Sequence, residues 1–228
     1  MTIHYHGTPI TPTDLLLIEL SGAHFCVSFA HPQQVKQVHR VGQSVMLDNG
    51  AFSVWKQGVN VDWNEFYAWA DPWLDYPTTW AVIPDVIEGD EADNDLLCRA
   101  WPFRDRGAPV WHMHESWHRL LSLIHTFPRV CIGSSAQYAD IMSDAWQRRM
   151  DDAWRQINSR FRRTPNVHML RGMRLIRERW PFASVDSTDL ARNHNRRHNC
   201  LGKMRRRWDA GQCPARFECR GEQLEMAA

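Results

Sequence analysis

The sequence lacks the long apolar segments and sorting signals of membrane and exported proteins. No apolar run approaches the roughly 18 residues that a membrane-spanning helix needs, so no membrane partner is expected. The first ten residues, MTIHYHGTPI, contain no basic region followed by an apolar stretch, and a signal peptide is therefore not predicted. The six cysteines are scattered without a Cys-x2-Cys pair, which is typical of reduced thiols. A cytoplasmic location is expected.

The cysteine spacing also disfavours a structural zinc site. Cys200, Cys213 and Cys219 are separated by 13 and 6 residues, whereas zinc knuckles and ribbons use closely paired cysteines. Free thiols are the better interpretation, and no cofactor is expected. The first strand is not followed by a Gly-rich loop, which disfavours a dinucleotide-binding fold. The absence of internal repeats and linkers indicates a single domain over residues 1–228.

Charge is unevenly distributed, although the net charge is only +1. Residues 1–147 hold 8 Lys and Arg against 17 Asp and Glu, whereas residues 148–228 hold 19 against 9. Residues 191–208 contain seven basic residues and no acidic one. A basic third of this kind is a cue for nucleic-acid binding, although solvated helix faces produce the same pattern. We expect the basic segment 191–228 to pack on or beside the rest of the domain.

Short apolar runs alternate with amphipathic stretches along most of the chain. Strand followed by helix at intervals of about 25–30 residues indicates a parallel sheet. Seven strands are predicted, at residues 24–30, 44–48, 79–85, 109–115, 129–135, 166–172 and 182–188, with a possible eighth at residues 3–7. The sequence therefore predicts an α/β fold, a compact (β/α)8 barrel of the TIM type. An open doubly wound sheet is the alternative.

Helices are predicted between the strands. The longest covers residues 143–163, and another covers residues 174–180, between the last two strands. Pro72 is expected to divide residues 62–76 into two short helices, because proline lacks the N–H donor and its ring crowds the preceding turn.

Polar residues follow the predicted strands at the ends where parallel α/β folds gather functional side chains. The carboxylates Asp48, Asp85 and Asp186 each end or directly follow an apolar run. A partly buried carboxylate must be hydrogen-bonded, paired or protonated. Two converging carboxylates suit substitution at a sugar carbon, with one as nucleophile and the other as proton donor or acceptor. For each carboxylate taken singly, capping of the following helix is the alternative.

Two histidines support a different class of enzyme. His112 and His114 are two residues apart on a strand, so their side chains point to the same face. A His-x-His pair inside a barrel can bind a metal ion, and His168 and Asp186 are candidates to complete such a site. The residues alone therefore leave two alternatives open: a metal-dependent barrel hydrolase and, from the basic segment, a non-catalytic DNA-binding protein.

The ordered strand ends resemble those of tRNA-guanine transglycosylases. LDNGAFSVW resembles the family's Asp-Ser-Gly-Gly-Phe-Gln segment, IPDVIEG its base-recognition segment and VDSTDLARNHN its nucleophile strand. VWHMHES, CIGSS and HMLRG stand where the family has a Gln-Gly strand end, a Gly-rich base-binding turn and a Met-x-Gly strand. The six segments span residues 45–195. The family's Cys-x-Cys-x2-Cys zinc pattern is absent, which indicates a transglycosylase-type barrel without the appended zinc subdomain.

The similarity is closer to the DNA-acting branch, the deoxypurine-in-DNA protein A family of phages and bacteria. The segments HYHGTPITP, MLDNGAFSVWK, WAVIPDVIEGD, PVWHMHE, RVCIGSS and ASVDSTDLARNHN carry this similarity. The resemblance implies exchange of guanine in DNA for a 7-deazaguanine such as 7-cyano-7-deazaguanine. It thereby implies DNA and a 7-deazaguanine base as partners, and it leaves room for helper proteins of a DNA-modification system.

The resemblance also implies a role for each candidate residue. Asp186 is expected to attack the anomeric carbon of a deoxyguanosine, and Asp48 to transfer the proton of the leaving and incoming bases. Asp85 is expected to accept hydrogen bonds from the base. The other predicted base-binding residues are Asn49, Phe52, His114, Gly133, Ser134 and Ser135. The predicted nucleic-acid contacts are Arg192, Asn193, Arg196, Arg197 and Lys203, and no metal site is predicted.

Overall fold

The strands form one parallel sheet that curves into a nearly closed barrel surrounded by helices. A computed structural model describes residues 1–58 and 61–218, which contain nine strands and nine α-helices. The strands are β1 (Ile3–Gly7), β2 (His24–Ser28), β3 (Ser44–Asp48), β4 (Thr79–Val82), β5 (Gly107–Ala108), β6 (Val110–His112), β7 (Val130–Gly133), β8 (Val167–Met169) and β9 (Ser184–Ser187). The helices are α1 (Thr13–Glu19), α2 (Val35–Val41), α3 (Ala51–Gln57), α4 (Trp63–Leu74), α5 (Glu91–Ala100), α6 (Trp117–Thr126), α7 (Asp144–Arg160), α8 (Asp189–Asn193) and α9 (Leu201–Asp209). The predicted α/β class is confirmed.

The sheet closes through a single stretch of chain that a proline interrupts. The strand order is β5-β4-β3-β2-β1-β9-β8-β7-β6, and neighbouring strands are parallel. Only Pro109 separates β5 from β6, because proline has no N–H to donate to a ladder. β5 pairs with β4 and β6 pairs with β7, so both ends of the sheet meet in this segment. The arrangement has eight strand positions and is TIM-like.

Side chains alternate between the barrel interior and the surrounding helices, as the two-residue period of a strand requires. The Tyr5 hydroxyl accepts a hydrogen bond of 2.9 Å from the Trp80 indole N–H and one of 3.1 Å from the Ser44 hydroxyl. The apolar interior consists of Tyr5, Cys26, Met46, Trp80, Val82, Ala108, Val110 and Cys131. The outward-facing strand residues pack against the helices in two larger cores. The interior is therefore a packed floor beneath the carboxyl ends of the strands, which we call the barrel mouth.

The prediction of two helices over residues 62–76 is wrong. This segment forms the single helix α4, with Pro72 inside its last turn. Because the helix ends two residues after the proline, the missing N–H removes only one intrahelical bond close to the end, where the helix is already finishing.

The prediction of an α-helix at residues 174–180 is also wrong. The chain between β8 and β9 is fully described and contains only a 3-10 turn, Met173–Leu175. Pro181 follows this segment directly, and the residue before a proline disfavours the helical conformation. Trp180 is fully buried in the outer core, so side-chain packing holds the segment in place of a helix.

The described part of the basic segment packs against the first strand and the first helix. His194 Nε2 lies 2.8 Å from the carbonyl of Thr11, which follows β1 at the barrel mouth. Asp209, at the end of α9, lies 2.9 Å from Nε2 of the buried His6. Residues 219–228, the last part of the predicted segment, lie outside the described residues. Within the described part of the chain, no helix combines the length and apolarity needed to cross a membrane.

Candidate active site at the barrel mouth

Asp186 lies on β9, with its carboxylate held inside the barrel mouth. It accepts a hydrogen bond of 2.7 Å from the backbone N–H of Arg171 and lies 3.3 Å from Nε2 of His168. Burial lowers the pKa of His168, whose Nδ1 lies 2.8 Å from the Ser184 hydroxyl. A neutral imidazole that donates from Nε2 and accepts at Nδ1 satisfies both partners. The carboxylate is thus held by donors, and its side chain keeps 12% of its surface exposed.

Asp48 ends β3 at the same mouth. The pKa of its carboxyl is raised to about 6, chiefly by burial, and the charges of Asp186 and Asp85 contribute to the rise. Hydrogen bonds from the Ser28 hydroxyl and the Gly50 N–H oppose it. The influence of Asp186 on Asp48 reflects two carboxyls that face one barrel interior. A carboxyl with a pKa close to neutrality can both give and take a proton at physiological pH.

Asn49 joins the ends of β3 and β4. Its amide nitrogen donates to the Ile83 carbonyl and to Oδ1 of Asp85, both at 2.8 Å, and its oxygen accepts from the N–H of Ala51 at 2.8 Å. Both amide hydrogens are therefore used within the protein, and Asn49 positions Asp85. Neither hydrogen is therefore free to make the predicted direct contact between Asn49 and a base. The following Gly50 has φ +76° and starts α3, so the stretch is a strand-to-helix turn and not a hairpin.

His112 lies between two carboxylates. Its Nε2 is 2.9 Å from Oδ2 of Asp85, and its Nδ1 is 3.3 Å from Oε1 of Glu115. Burial by itself lowers the pKa of His112, but the hydrogen bonds and charges of Asp85 and Glu115 outweigh it and raise the pKa to about 9. The ring is therefore an imidazolium at neutral pH, and both of its nitrogens have protein partners.

A chain of alternating charges continues from His112 to the protein surface. Nη1 of Arg119 donates to Oε2 of Glu115 at 2.7 Å, and its Nε donates to Asp95 at 3.0 Å. Glu115 and Arg119 are both almost fully buried, whereas the Asp95 side chain is 43% exposed. Sequence reasoning missed Glu115 and Arg119 as parts of the site. The available signal was an acidic residue three positions after His112, at the end of an apolar strand.

The hydrolase alternative finds no metal-ligand set among the described residues. Nδ1 of His114 lies 2.8 Å from the Ser135 hydroxyl, and its ring stacks on that of His112 with 5.8 Å between centroids. A protonated His112 has no lone pair for a metal. Over residues 1–58 and 61–218, no group of three or more His, Cys, Asp or Glu side chains is arranged to hold a metal ion. Cys200 and Cys213 are free thiols, and Cys219 lies outside the described residues.

Arg171 spans the barrel mouth and was not among the predicted site residues. Its guanidinium lies 4.8 Å from the centroid of the Phe52 ring, and its Nη2 donates to the Ser134 carbonyl at 3.3 Å. Arg171 follows β8 and Phe52 follows β3, which are four positions apart in the eight-position barrel and thus face each other. Phe52 keeps 46% of its surface exposed, so its ring is accessible as a stacking surface. The signal in the sequence was the Arg-Gly pair that ends a strand.

The three residues at the end of β7 line the mouth next to the histidines. Gly133 pairs with His112 across the two strands, and the absence of a side chain leaves space beside the imidazole. The Ser134 hydroxyl accepts a hydrogen bond of 2.9 Å from the Trp146 indole, so it points into the outer core. The Ser135 hydroxyl instead contacts Nδ1 of His114. The contact of the Ser135 backbone with a base stays a prediction.

The predicted nucleic-acid residues lie on α8, α9 and the loop between them. Arg192, Arg196, Arg197 and Lys203 are exposed. Asn193 differs, because its amide nitrogen donates to Asp189 at 2.7 Å and its oxygen is buried. The segment starts at the barrel mouth, directly after β9 and beside Thr11. The structure therefore brings exposed cations to the side of the mouth that carries Asp186.

Comparison with known proteins does not assign the chain to a family. A scan against protein-family models finds no match, and a search of the curated proteins finds no significant one. Function must therefore be argued from the chemistry of the site.

Proposed function

We propose that this protein is a DNA-guanine transglycosylase, with a barrel of the transglycosylase type, that exchanges guanine in DNA for a 7-deazaguanine. The observation that carries the proposal is the contrast between two carboxyls at one mouth. Asp186 is held by the N–H of Arg171 beside a neutral His168, whereas the pKa of Asp48 is raised to about 6. Two carboxyls in such different environments suit a nucleophile and a proton-transfer residue.

In the first half of the proposed reaction, guanine leaves the sugar. A carboxylate oxygen of Asp186 attacks C1′ of deoxyguanosine from the face opposite the base, and the C1′–N9 bond breaks. The electron pair of that bond goes to guanine, which takes the proton of Asp48. The products are free guanine, ionised Asp48 and an ester between Asp186 and the sugar in DNA.

In the second half, the incoming base reverses these steps. Asp48 removes the N9 proton of the 7-deazaguanine, whose nitrogen attacks C1′ while the bond to Asp186 breaks. Both carboxyls return to their starting states, so the exchange needs no further reactant. Two inversions at C1′ retain its configuration, as in retaining glycosidases.

The surroundings of the two carboxyls suit a purine base. Asp85 accepts from the base N–H groups, Phe52 offers an exposed ring for stacking, and His114 faces the base carbonyl. The target nucleotide must leave the duplex, or be met in a single strand, because C1′ is shielded in stacked DNA. The exposed cations after β9 are placed to bind phosphates next to it.

The exposed cations by themselves would also fit a non-catalytic DNA-binding protein. Such a protein has no use for a carboxyl with a pKa of about 6 beside a second carboxyl held by donors. The two functions differ in one outcome, because only the enzyme depends on Asp48 and Asp186 while DNA binding is intact.

The test is incorporation of labelled guanine into DNA by the purified protein. We expect Asp186→Asn to abolish incorporation and Asp48→Asn to reduce it by about 10²–10⁴-fold, the usual contribution of a general acid–base. Asp152→Asn is the matched control, since its side chain is 52% exposed on α7, and it should keep full activity. Incorporation by Asp186→Asn at the wild-type rate would refute the proposed nucleophile.

A further inference from the structure

We propose that His112 sets the base specificity of this site by fixing Asp85 as a pure hydrogen-bond acceptor at the barrel mouth. The inference rests on the proposed base exchange and deepens it by naming the residue that orients Asp85 toward the base. His112 is a positioning residue, because it touches Asp85 and not the base. No role in exchange chemistry is assigned to it.

The first support is the clamp around Asp85. His112 Nε2 holds Oδ2 at 2.9 Å, and the Asn49 amide holds Oδ1 at 2.8 Å. With one donor on each oxygen, the plane of the carboxylate is fixed. Its side chain keeps 11% of its surface exposed, so the remaining lone pairs open on the mouth.

The second support is the location of the proton between the two residues. The titratable and charged groups that face His112 are Asp85 after β4, Glu115 and His114 after β6, and Arg119 on α6, which reaches it through Glu115. Two carboxylates contact the ring directly, and their influence raises the pKa of His112 to about 9 although burial lowers it. The imidazole therefore keeps its proton at neutral pH, and each ring nitrogen donates to one carboxylate, with Oδ2 of Asp85 as the acceptor for Nε2.

An acceptor that cannot donate selects between purine edges. Guanine and 7-deazaguanine present N1–H and the 2-amino group side by side, and both donate to a carboxylate. Hypoxanthine presents only N1–H, and adenine presents the N1 lone pair beside its 6-amino group. A carboxylate repels that lone pair, whereas a protonated carboxyl would pair with the adenine edge. A carboxylate that is oriented by two protein donors therefore favours guanine over adenine.

The variants separate the charge of His112 from its hydrogen bond. His112→Gln keeps a neutral donor near Asp85, and His112→Leu removes both the donor and the charge. His118→Gln, an exposed histidine on α6, is the control. The measurement is competition of guanine, hypoxanthine and adenine against labelled guanine during exchange at about pH 7.5, where the imidazolium of His112 is intact.

We expect the wild type and His118→Gln to prefer guanine over adenine equally. In His112→Leu the preference should fall by about tenfold or more, because one charge-assisted hydrogen bond fewer on Asp85 is worth about that factor. In His112→Gln the KM for guanine should rise while kcat stays close to that of the wild type. A preference in His112→Leu equal to that of the wild type would overturn the inference.

A second measurement does not depend on the variants folding. In wild-type protein, the ¹⁵N resonances of His112 should be those of an imidazolium at about pH 7.5, a pH at which an ordinary histidine is neutral. A neutral ring there would overturn the inference by itself. If the wild type neither exchanges nor binds any purine, the proposed function fails and this inference with it. If exchange proceeds but the preference ignores His112, this inference alone fails.

Discussion

At the scale of the residue, the site depends on carboxyls whose environments differ within one barrel mouth. Asp186 accepts a hydrogen bond of 2.7 Å from a backbone N–H, and Asp85 accepts one hydrogen bond on each oxygen. The pKa of Asp48, by contrast, is raised to about 6. Because burial and neighbouring charges penalise the ionised form of Asp48, this residue carries a cost for folding at neutral pH. Function and stability therefore oppose each other at Asp48.

We expect Asp48→Asn to stabilise the protein at neutral pH while it abolishes most of the exchange. The folded-state pKa of about 6 lies above the ordinary value of 3.8, so the stability that Asp48 contributes is complete below about pH 4 and is lost as the pH rises through about 6. The variant should therefore gain about 3 kcal/mol in free energy of unfolding at about pH 8 and little at about pH 4. Urea unfolding at the two pH values measures both.

The control for this prediction is Asp152→Asn, which should leave the free energy of unfolding unchanged within about 0.5 kcal/mol at both pH values. If Asp48→Asn lost the same stability at pH 4 and at pH 8, the carboxyl would be needed for packing. Burial of its ionised form would then not destabilise the fold.

The three carboxylates were predictable from the sequence, because each stands where an apolar strand ends. Their partners were not predictable in the same way. Arg171 follows β8 and Asp186 lies on the neighbouring β9, 15 residues further along the sequence, so the hydrogen bond between them depends on strand order. In the same way, the two-residue spacing of His112 and His114 suggested a metal ligand. Only the meeting of the β4 and β6 ends shows that it is paired with Asp85.

At the scale of the element, the turn from β3 into α3 sets the geometry of the site. Gly50 has φ +76°, and a Cβ at this position would lie 3.2 Å from the backbone nitrogen of Ala30. At the other end of the same helix, Gly58 has φ +64° and nothing within 4 Å of a Cβ. The two glycines therefore share a left-handed backbone but differ in the space around it.

We expect Gly50→Ala to cost more stability than Gly58→Ala. In both variants a side chain in the left-handed region lowers the free energy of unfolding by about 1 kcal/mol. The close approach to Ala30 brings the loss in Gly50→Ala to about 2 kcal/mol. Urea unfolding of the two variants measures the difference. Only Gly50→Ala should also reduce base exchange, because it moves Asp48. Equal losses of stability in both variants would contradict this account.

The element pattern was predictable where the local sequence decides the structure. β3 has the predicted bounds, and the possible strand at residues 3–7 is β1. The errors arose where tertiary context decides. Pro72 lies so close to the end of α4 that it ends the helix without dividing it, and residues 174–180 have enough apolar side chains for a helix but are held by the burial of Trp180.

At the scale of the whole molecule, charge is divided across the barrel mouth. β4 and β9 are four positions apart in the eight-position barrel, so the loops that follow them lie on opposite sides. Residues 85–95, after β4, contain six acidic residues and no basic one, whereas residues 191–208, after β9, contain seven basic residues and no acidic one. The field therefore favours phosphates on the Asp186 side and leaves the Asp85 side to the base.

We expect DNA binding to weaken with salt through the basic side of the mouth. Replacing three of its arginines should reduce the slope of log K against log salt concentration by about two to three, since each phosphate contact contributes about 0.7–0.9. The variant is Arg192→Gln, Arg196→Gln and Arg197→Gln. Fluorescence anisotropy with a labelled oligonucleotide at several salt concentrations measures the slope.

The control carries the same charge change at the opposite end of the barrel. Arg160, the last residue of α7, and Arg162 and Arg163, which follow it before β8, are exposed at the end of the barrel where the strands begin. Their replacement by glutamine should leave the slope within about 0.5 of the wild-type value, because they contact no phosphate of a strand bound at the mouth. Equal effects of the two triple variants would mean that net charge, and not the position of the cations, determines binding.

The covalent link between Asp186 and the sugar tests the central claim most directly. Wild-type protein is mixed with a guanine-containing oligonucleotide in the absence of an incoming base, quenched in acid and analysed by intact mass spectrometry with peptide mapping. The account predicts an adduct of the protein with the oligonucleotide less one guanine, mapped to Asp186 and absent from Asp186→Asn. Guanine exchange by the wild type without any adduct, or an adduct on another residue, would contradict it.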